Sequence, residues 1–310
     1  MRTVLIPAFA TSILFSYGAT AASDSMELSS LNPEQRSEQV TEEDQTIGED
    51  DSVVKFQDEN HVAMATYFGG LGFPAGGCGI PPSVVEAASY VALNVQHAQP
   101  PMQGEFDQGR NCGRWIEVTL SKFCENADHS DRWNTDSCAG GHWAERPLSG
   151  AKANFIVADS CNDGNFWCRL DRYHLDLSVM GLSQFGSQVN PSNWGNPQVT
   201  WRYVDAPAYS GDVNIGFAQN ASRGWPTILL THLRRGVHRV EQLVGGRWVT
   251  QPMHLTLGQV FILTNVGAEP YRIRLFDAHD EPVENGRIYR FTMPDNCCGR
   301  TFNEVKYATE

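Results

Sequence analysis

Residues Asn154 to Gly186 read NFIVADSCNDGNFWCRLDRYHLDLSVMGLSQFG. Asn154-Phe-Ile-Val-Ala is a β-prone apolar run, and Asp159 stands where it stops. A second run, Tyr173-His-Leu-Asp-Leu-Ser, alternates with a period of two. That puts Leu175 and Leu177 on one face and His174, Asp176 and Ser178 on the other. The leucines are expected to point into a core, and Asp176 away from it, into water or a groove. Ser178 is suited to cap a short helix over Val179 to Phe185, with Gly186 at its end. Cys161 and Cys168 lie between the acids and close enough in sequence to pin the loop if they pair. Two carboxylates held at strand ends on one scaffold are what glycan chemistry needs, although an aspartate at a strand end is most often a solvated turn residue.

The flanks set the class. Arg2, the apolar run Val4 to Phe15 and Ala19-Thr20-Ala21 read as a signal peptide over residues 1–21, cleaved after Ala21. No later stretch holds the ~18 apolar residues of a spanning helix, so the mature chain is expected to be secreted, extracellular and not membrane-bound. The eight cysteines agree, because an even count in an exported chain reads as disulfides. The simplest local pairs are Cys161 with Cys168, Cys124 with Cys138 and Cys78 with Cys112, whereas Cys297 and Cys298, being adjacent, pair with each other or elsewhere. No C-x-x-C or H-x-x-x-H spacing occurs, so neither a metal nor a cofactor is expected. The net charge is −13, and twelve Asp or Glu against Arg36 and Lys55 fall between residues 23 and 60. Residues 22–59 therefore read as an acidic disordered linker. Nothing is basic enough to bind nucleic acid, and a monomer is expected.

Most of the remainder reads as strands broken by Gly, Pro, Asn and Asp. Ile116, Val118 and Leu120 alternate inward, Trp201 and Tyr203 alternate with Arg202, Val240 to Thr250 reads as a hairpin around Gly245-Gly246, and Tyr271 to Phe276 turns Arg272 and Arg274 to solvent. Pro82 to Asn94, with an N-terminal proline and the spacing Val84, Ala87, Ala88, Val91, reads as the best helix. The turn-former run Asn190 to Pro197 marks a boundary. It divides a disulfide-rich domain, residues 60–192, from a β-sandwich, residues 198–310. Asp159-x-Cys161-x-Asp163-Gly164 has cysteine and Leu170 where a calcium loop needs oxygen ligands, and reads as a turn. Trp133, Trp143 and Trp167 sit in polar loops and are candidates to line a groove in the first domain. His97, His142, His232 and His254 have no ligand spacing and read as surface or cross-strand residues.

With these pieces placed, the chain resembles the expansins and bacterial expansin-like proteins. The resemblance is carried by Ala65-Thr66-Tyr67, Gly76-Gly77-Cys78-Gly79, Val157-Ala158-Asp159 and, most specifically, His174-Leu175-Asp176-Leu177-Ser178. In the second half it is carried by Val199-Thr-Trp201-Arg202, Ser222-Arg223-Gly224-Trp225, Leu233 to Glu241 and Gly246-Arg247-Trp248. It covers roughly residues 61–280. It implies a mostly β chain, a six-stranded double-psi β-barrel followed by an immunoglobulin-like β-sandwich of carbohydrate-binding type. It also implies that the barrel groove binds cell-wall polysaccharide (β-glucan, cellulose-like polymer or peptidoglycan) and loosens it without hydrolysis. On the family's pattern Thr66, Asp159 and Asp176 are groove positions, with Asp176 the key acid and Tyr67 beside Thr66 as an aromatic contact. Cys161 stands where the family commonly has an aromatic.

The barrel is also similar to the family 45 endoglucanases, which invert and need two carboxylates about 6.5–9.5 Å apart. Asp176 matches their general acid. Their base follows an Arg-Tyr-Trp run, and here Thr66-Tyr67-Phe68 is followed by Gly69, which takes no proton. Non-hydrolytic loosening is therefore the first expectation. The alternative is a glycoside hydrolase or lytic transglycosylase with Asp176 as general acid and Asp159 as its partner. In the sandwich, Gly224 occupies the first of two tryptophan positions and Trp225 the second. The third aromatic is missing from Met253 to Leu257, so Trp225 is either the remaining platform for a sugar ring or a core residue, the commoner fate of a single tryptophan.

Overall fold

The computed structural model describes residues 59–310 apart from 72–75, 82–84, 86–88, 96–103, 127–137, 162–166, 255–256 and 268. The expected signal peptide, nearly all of the acidic linker and Trp133 lie outside the described residues. Alternating and doubly buried apolar runs produce strands β1 (His61–Phe68), β2 (Tyr90–Asn94), β3 (Trp115–Glu125), β4 (His142–Ala144), β5 (Lys152–Cys161), β6 (Leu175–Ser178) and β7 (Gln198–Val204). They form one sheet in the order β4-β3-β5-β2-β6-β1-β7, and a further pairing of β7 with β3 closes six of them into a ring. β1 runs parallel to β6, and β2 parallel to β5; the other pairs are antiparallel. Ile116, Val118, Leu120, Phe155, Val157, Leu175, Leu177 and Val199 fill the interior.

The expectation at Pro82–Asn94 is corrected here. Tyr90–Asn94 is a strand, with Val91 to Asn94 all buried. A short apolar run buried on both faces carries no period of two, and sequence cannot separate it from a core helix. The structure also moves the boundary. Gln198–Val204, assigned by the sequence to the sandwich, pairs with β1 and β3 in the barrel. The turn-former run before it folds back instead of leaving: Trp194 is buried and its Nε1 donates to the Ala65 carbonyl at 2.8 Å, while Ala65 N donates to the Pro197 carbonyl at 3.0 Å. Val179–Phe185 is the short helix expected, of 3-10 type, and Ser178 Oγ accepts from Gly181 N at 3.2 Å.

The rest of the chain is a two-sheet sandwich. Strands β8 (Asn214–Phe217), β9 (Thr227–Thr231), β10 (Arg239–Val244), β11 (Arg247–Gln251), β12 (Met253–His254), β13 (Leu257–Ile262), β14 (Tyr271–Phe276), β15 (Tyr289–Phe291), β16 (Asn303–Glu304) and β17 (Ala308–Thr309) follow in order. They form two antiparallel five-stranded sheets, β11-β10-β14-β15-β17 and β12-β13-β9-β8-β16. Gly245 and Gly246 have φ of 55° and 80°, the two positive values that a two-residue turn between β10 and β11 requires. Arg272 and Arg274 lie on the wetter face of β14. Between the sheets lie Ile215, Phe217, Leu230, Phe261, Tyr271 and Tyr289.

Barrel and sandwich interlock. Ala218, Leu229 and Val260 of the sandwich belong to the barrel's apolar cluster. Gly258 N and Gln259 N donate to the carbonyls of Gly77 and Cys78, each at 3.1 Å. Gly109 and Gly258 approach so closely that a Cβ on either would lie closer than 3.0 Å to the other's backbone. Disulfides join Cys78 to Cys112, Cys124 to Cys138 and Cys161 to Cys168, the three local pairs expected, and Cys297 pairs with its neighbour Cys298. No helix among the described residues is long and apolar enough to cross a membrane.

Candidate functional site

The strand registers bring the expected residues into one row. Thr66 on β1 lies opposite Asp176 on β6, Asp176 lies opposite Ala92 on β2, and Ala92 lies opposite Asp159 on β5. A register shift between Val91 and Ala92 leaves Ala158 as the extra residue and brings Asp159 into the row. Asp159 and Asp176 are thus two strands apart, which at about 4.8 Å per strand puts their Cα atoms roughly 10 Å apart. Leu175 and Leu177 face the barrel core, so Asp176 faces outward, as the alternation predicts.

That outward face is covered. Asp176 is 6% exposed and Thr66 8%. Ala92, Cys161 and Cys168 form a small apolar cluster with Phe68 packed on it, and Asp176 Oδ2 lies 3.8 Å from Cys161 Sγ. The expected groove acid therefore sits at the floor of the site, beneath the Cys161–Cys168 bridge. The reason is local: Cys168 stands on the single turn of helix α1 (Trp167–Leu170), and the disulfide ties it to the end of β5.

The polar chain around Asp176 includes one residue that sequence reading did not select. Thr66 Oγ1 donates to Asp176 Oδ1 at 2.9 Å and lies 2.8 Å from His174 Nε2. Since the threonine proton goes to the carboxylate, Nε2–H donates to Thr66 and Nδ1 keeps its lone pair. His174 is fully buried, and this burial pushes its pKa down to about 3, so the ring is neutral. The signal was already in the alternation, which put His174 on the Asp176 face.

Asp159 is half-buried and differently engaged. Its Oδ1 accepts from Gly77 N at 2.5 Å and from its neighbour Ser160 N at 2.8 Å. Gly77 in turn accepts from Gly258 of the sandwich. A Cβ at Gly76 or Gly77 would collide with Asp159 or Ser160, so the close approach itself requires glycine there. Asp159 thus fixes the Gly76–Gly79 turn at the junction of barrel and sandwich.

Tyr67, next to Thr66, is 38% exposed. Gly69 stands two residues on, after Phe68, and a Cβ built there meets nothing within 4 Å, so space for a side chain exists but the side chain does not. Trp225 lies on the tight turn Ser222–Trp225 of the sandwich and is 52% exposed, which removes it from the core. Trp143 on β4 and Trp167 on α1 are half-buried.

No family model matches the chain. No curated protein matches it either. Solved structures do: the apo expansin of Clavibacter michiganensis superposes with a TM-score of 0.52 at 20% identity, covering 79% of this chain and 96% of that one. A mutant of that expansin in complex with cellohexaose superposes with a TM-score of 0.52 at 19% identity, again over 79% and 96%. The fold is therefore expansin-like, a double-psi barrel followed by an immunoglobulin-like sandwich.

Proposed function

We propose that this chain is a secreted, expansin-like protein that binds cell-wall polysaccharide at the Thr66–Asp176 face of the barrel and loosens it without hydrolysis. The observation that carries the reading is the state of the second acid. Inverting hydrolysis needs two carboxylates with a water held between them. Here Asp159 Oδ1 is committed to the amides of Gly77 and Ser160, and Gly69 leaves the endoglucanase base position without a proton acceptor. Asp176, held by Thr66 at the covered floor, is then the acid beneath the binding face, and Tyr67, exposed beside Thr66, offers the ring on which a sugar C–H face can pack. Competition at this face for polymer–polymer hydrogen bonds lets chains slip. Trp225 supplies a second, separate contact on the sandwich. The domain division, adjusted to place β7 in the barrel, and the signal peptide over residues 1–21 belong to the same reading. The cellohexaose complex of the similar expansin supports a cellulose-like ligand.

The test uses purified protein with amorphous cellulose, mixed-linkage glucan and peptidoglycan. Sedimentation with the polymer and increased creep of wall strips under load are expected, both lost in Asp176→Asn, with no reducing sugar released. Sustained, Asp176-dependent release of reducing ends or muropeptides would overturn the reading in favour of a hydrolase or lytic transglycosylase.

A further inference from the structure

One donor atom from each of Cys161, Cys168 and His174 lies within 4.8 Å of the others, and all three residues are buried. A fourth donor adjoins them, Asp176 Oδ2 at 3.8 Å from Cys161 Sγ. A tetrahedral zinc site with sulfur at about 2.3 Å and nitrogen or oxygen at about 2.0–2.1 Å has its donors about 3.3–3.8 Å apart. The Asp176–Cys161 spacing is thus already that of such a site, and the two bonded sulfurs must separate to reach it. Independently, His174 Nδ1 is buried without a hydrogen-bond partner among the described residues. A buried polar atom with no partner is uncommon and calls for a reason. Thr66, by accepting from Nε2–H, fixes the tautomer that leaves Nδ1 a bare lone pair; an outer hydrogen bond of this kind is the usual companion of a histidine ligand. The donors come from one short segment, C-x6-C-x5-H-x-D, which matches no common zinc spacing.

We propose that Cys161, Cys168, His174 and Asp176 form a redox-gated site for a zinc-class divalent ion, closed to metal while the two cysteines are bonded and opened when they are reduced. A thiol reductant supplies two electrons and two protons. The Cys161–Cys168 bond breaks, two thiols form, and the reductant leaves as its own disulfide. The ion then displaces both thiol protons to solvent and binds two thiolates, the imidazole and the carboxylate. Cys161 ends β5, Cys168 stands on α1, His174 directly precedes β6 and Asp176 lies on it, so the four donors converge from neighbouring elements once the sulfurs separate. Metal binding does not depend on the glycan reading.

The probe is Co2+ added anaerobically to full-length protein, oxidised or reduced with a trialkylphosphine. One equivalent bound with thiolate-to-cobalt charge-transfer absorption is expected only after reduction. It should persist in Cys124→Ser/Cys138→Ser, which lacks another reducible pair, and vanish in Cys168→Ser. Cobalt affinity should fall at least about tenfold in His174→Gln. As a second readout, Zn2+ should protect the Cys161 and Cys168 peptides from alkylation in the reduced protein. Undiminished charge transfer in Cys168→Ser, or no cobalt bound and no zinc protection in the reduced wild type, would overturn the proposal.

Discussion

Thr66→Val removes one oxygen from the polar chain that runs from His174 through Thr66 to Asp176. Valine keeps the branched shape, so the substitution leaves no cavity and the cost is polar. His174 Nε2 loses its acceptor at 2.8 Å, and Asp176 Oδ1 loses its donor at 2.9 Å, both in residues at most 6% exposed. Each buried group left short of a partner costs about 1–3 kcal/mol, with charged groups at the upper end. The expected loss is therefore about 2–5 kcal/mol, with a urea midpoint lowered by about 1 M or more at unchanged slope. Thr66→Ser keeps both hydrogen bonds, loses one methyl, and should stay within about 1 kcal/mol of wild type. The assay is equilibrium urea unfolding, with disulfides intact, of the three proteins side by side. If Thr66→Val unfolds within about 0.5 kcal/mol of wild type, the threonine does not connect His174 and Asp176 and the reasoning about this site fails.

Gly258→Ala places a methyl against the Gly109 backbone and Cys112 Sγ, and should lower stability by about 2–3 kcal/mol. Gly69→Ala, with open space around it, should change stability by less than about 0.5 kcal/mol; equal effects in calorimetry would discount the interlock. Burial, with Arg114 and Arg110 nearby, lowers the pKa of His238. The unfolded chain then takes up a proton near the ordinary value of about 6.5 that the folded chain refuses, so stability is lost as pH falls below that point. His238→Gln should lessen the drop in Tm between pH 7 and pH 5, and an unchanged drop would remove His238 from the account. Trp225→Ala should weaken sedimentation with polysaccharide while leaving the urea midpoint in place; retained binding would leave the barrel face to carry it alone.

Where polar residues mark the second face of a strand, the sequence carried the answer. Leu175 and Leu177 against Asp176, the Gly245-Gly246 hairpin and the Ile116–Val118–Leu120 alternation all fold as their period requires. Where both faces are apolar the period disappears, and Tyr90–Asn94 read as helix. The position of Gln198–Val204 was hidden for another reason: a run of turn formers reads as a linker, and only the buried Trp194 shows that this one returns to β1. At the site, Thr66 and Asp176 were legible through motifs and meet at 2.9 Å. His174 was passed over because a histidine shows its partners only in three dimensions. The role of Asp159 depends on Gly77, remote in sequence and brought to it by a turn that spacing does not encode.

The closure of the ring by β7 fixes the order in which this molecule can be made. β1 opens the barrel, yet its outer edge and that of β3 are both filled by Gln198–Val204. Until the chain has been delivered through Val204, both edges carry unpaired amides and carbonyls, and apolar surface such as Trp201 and Val199 has nowhere to go. Contacts this distant in sequence form slowly, and open edges in the meantime invite pairing with other chains. The nascent protein is thus most vulnerable to aggregation between completion of β6 and arrival of β7. A truncation ending at Asn190, which looks like a clean cut from the sequence, would leave that vulnerability permanent.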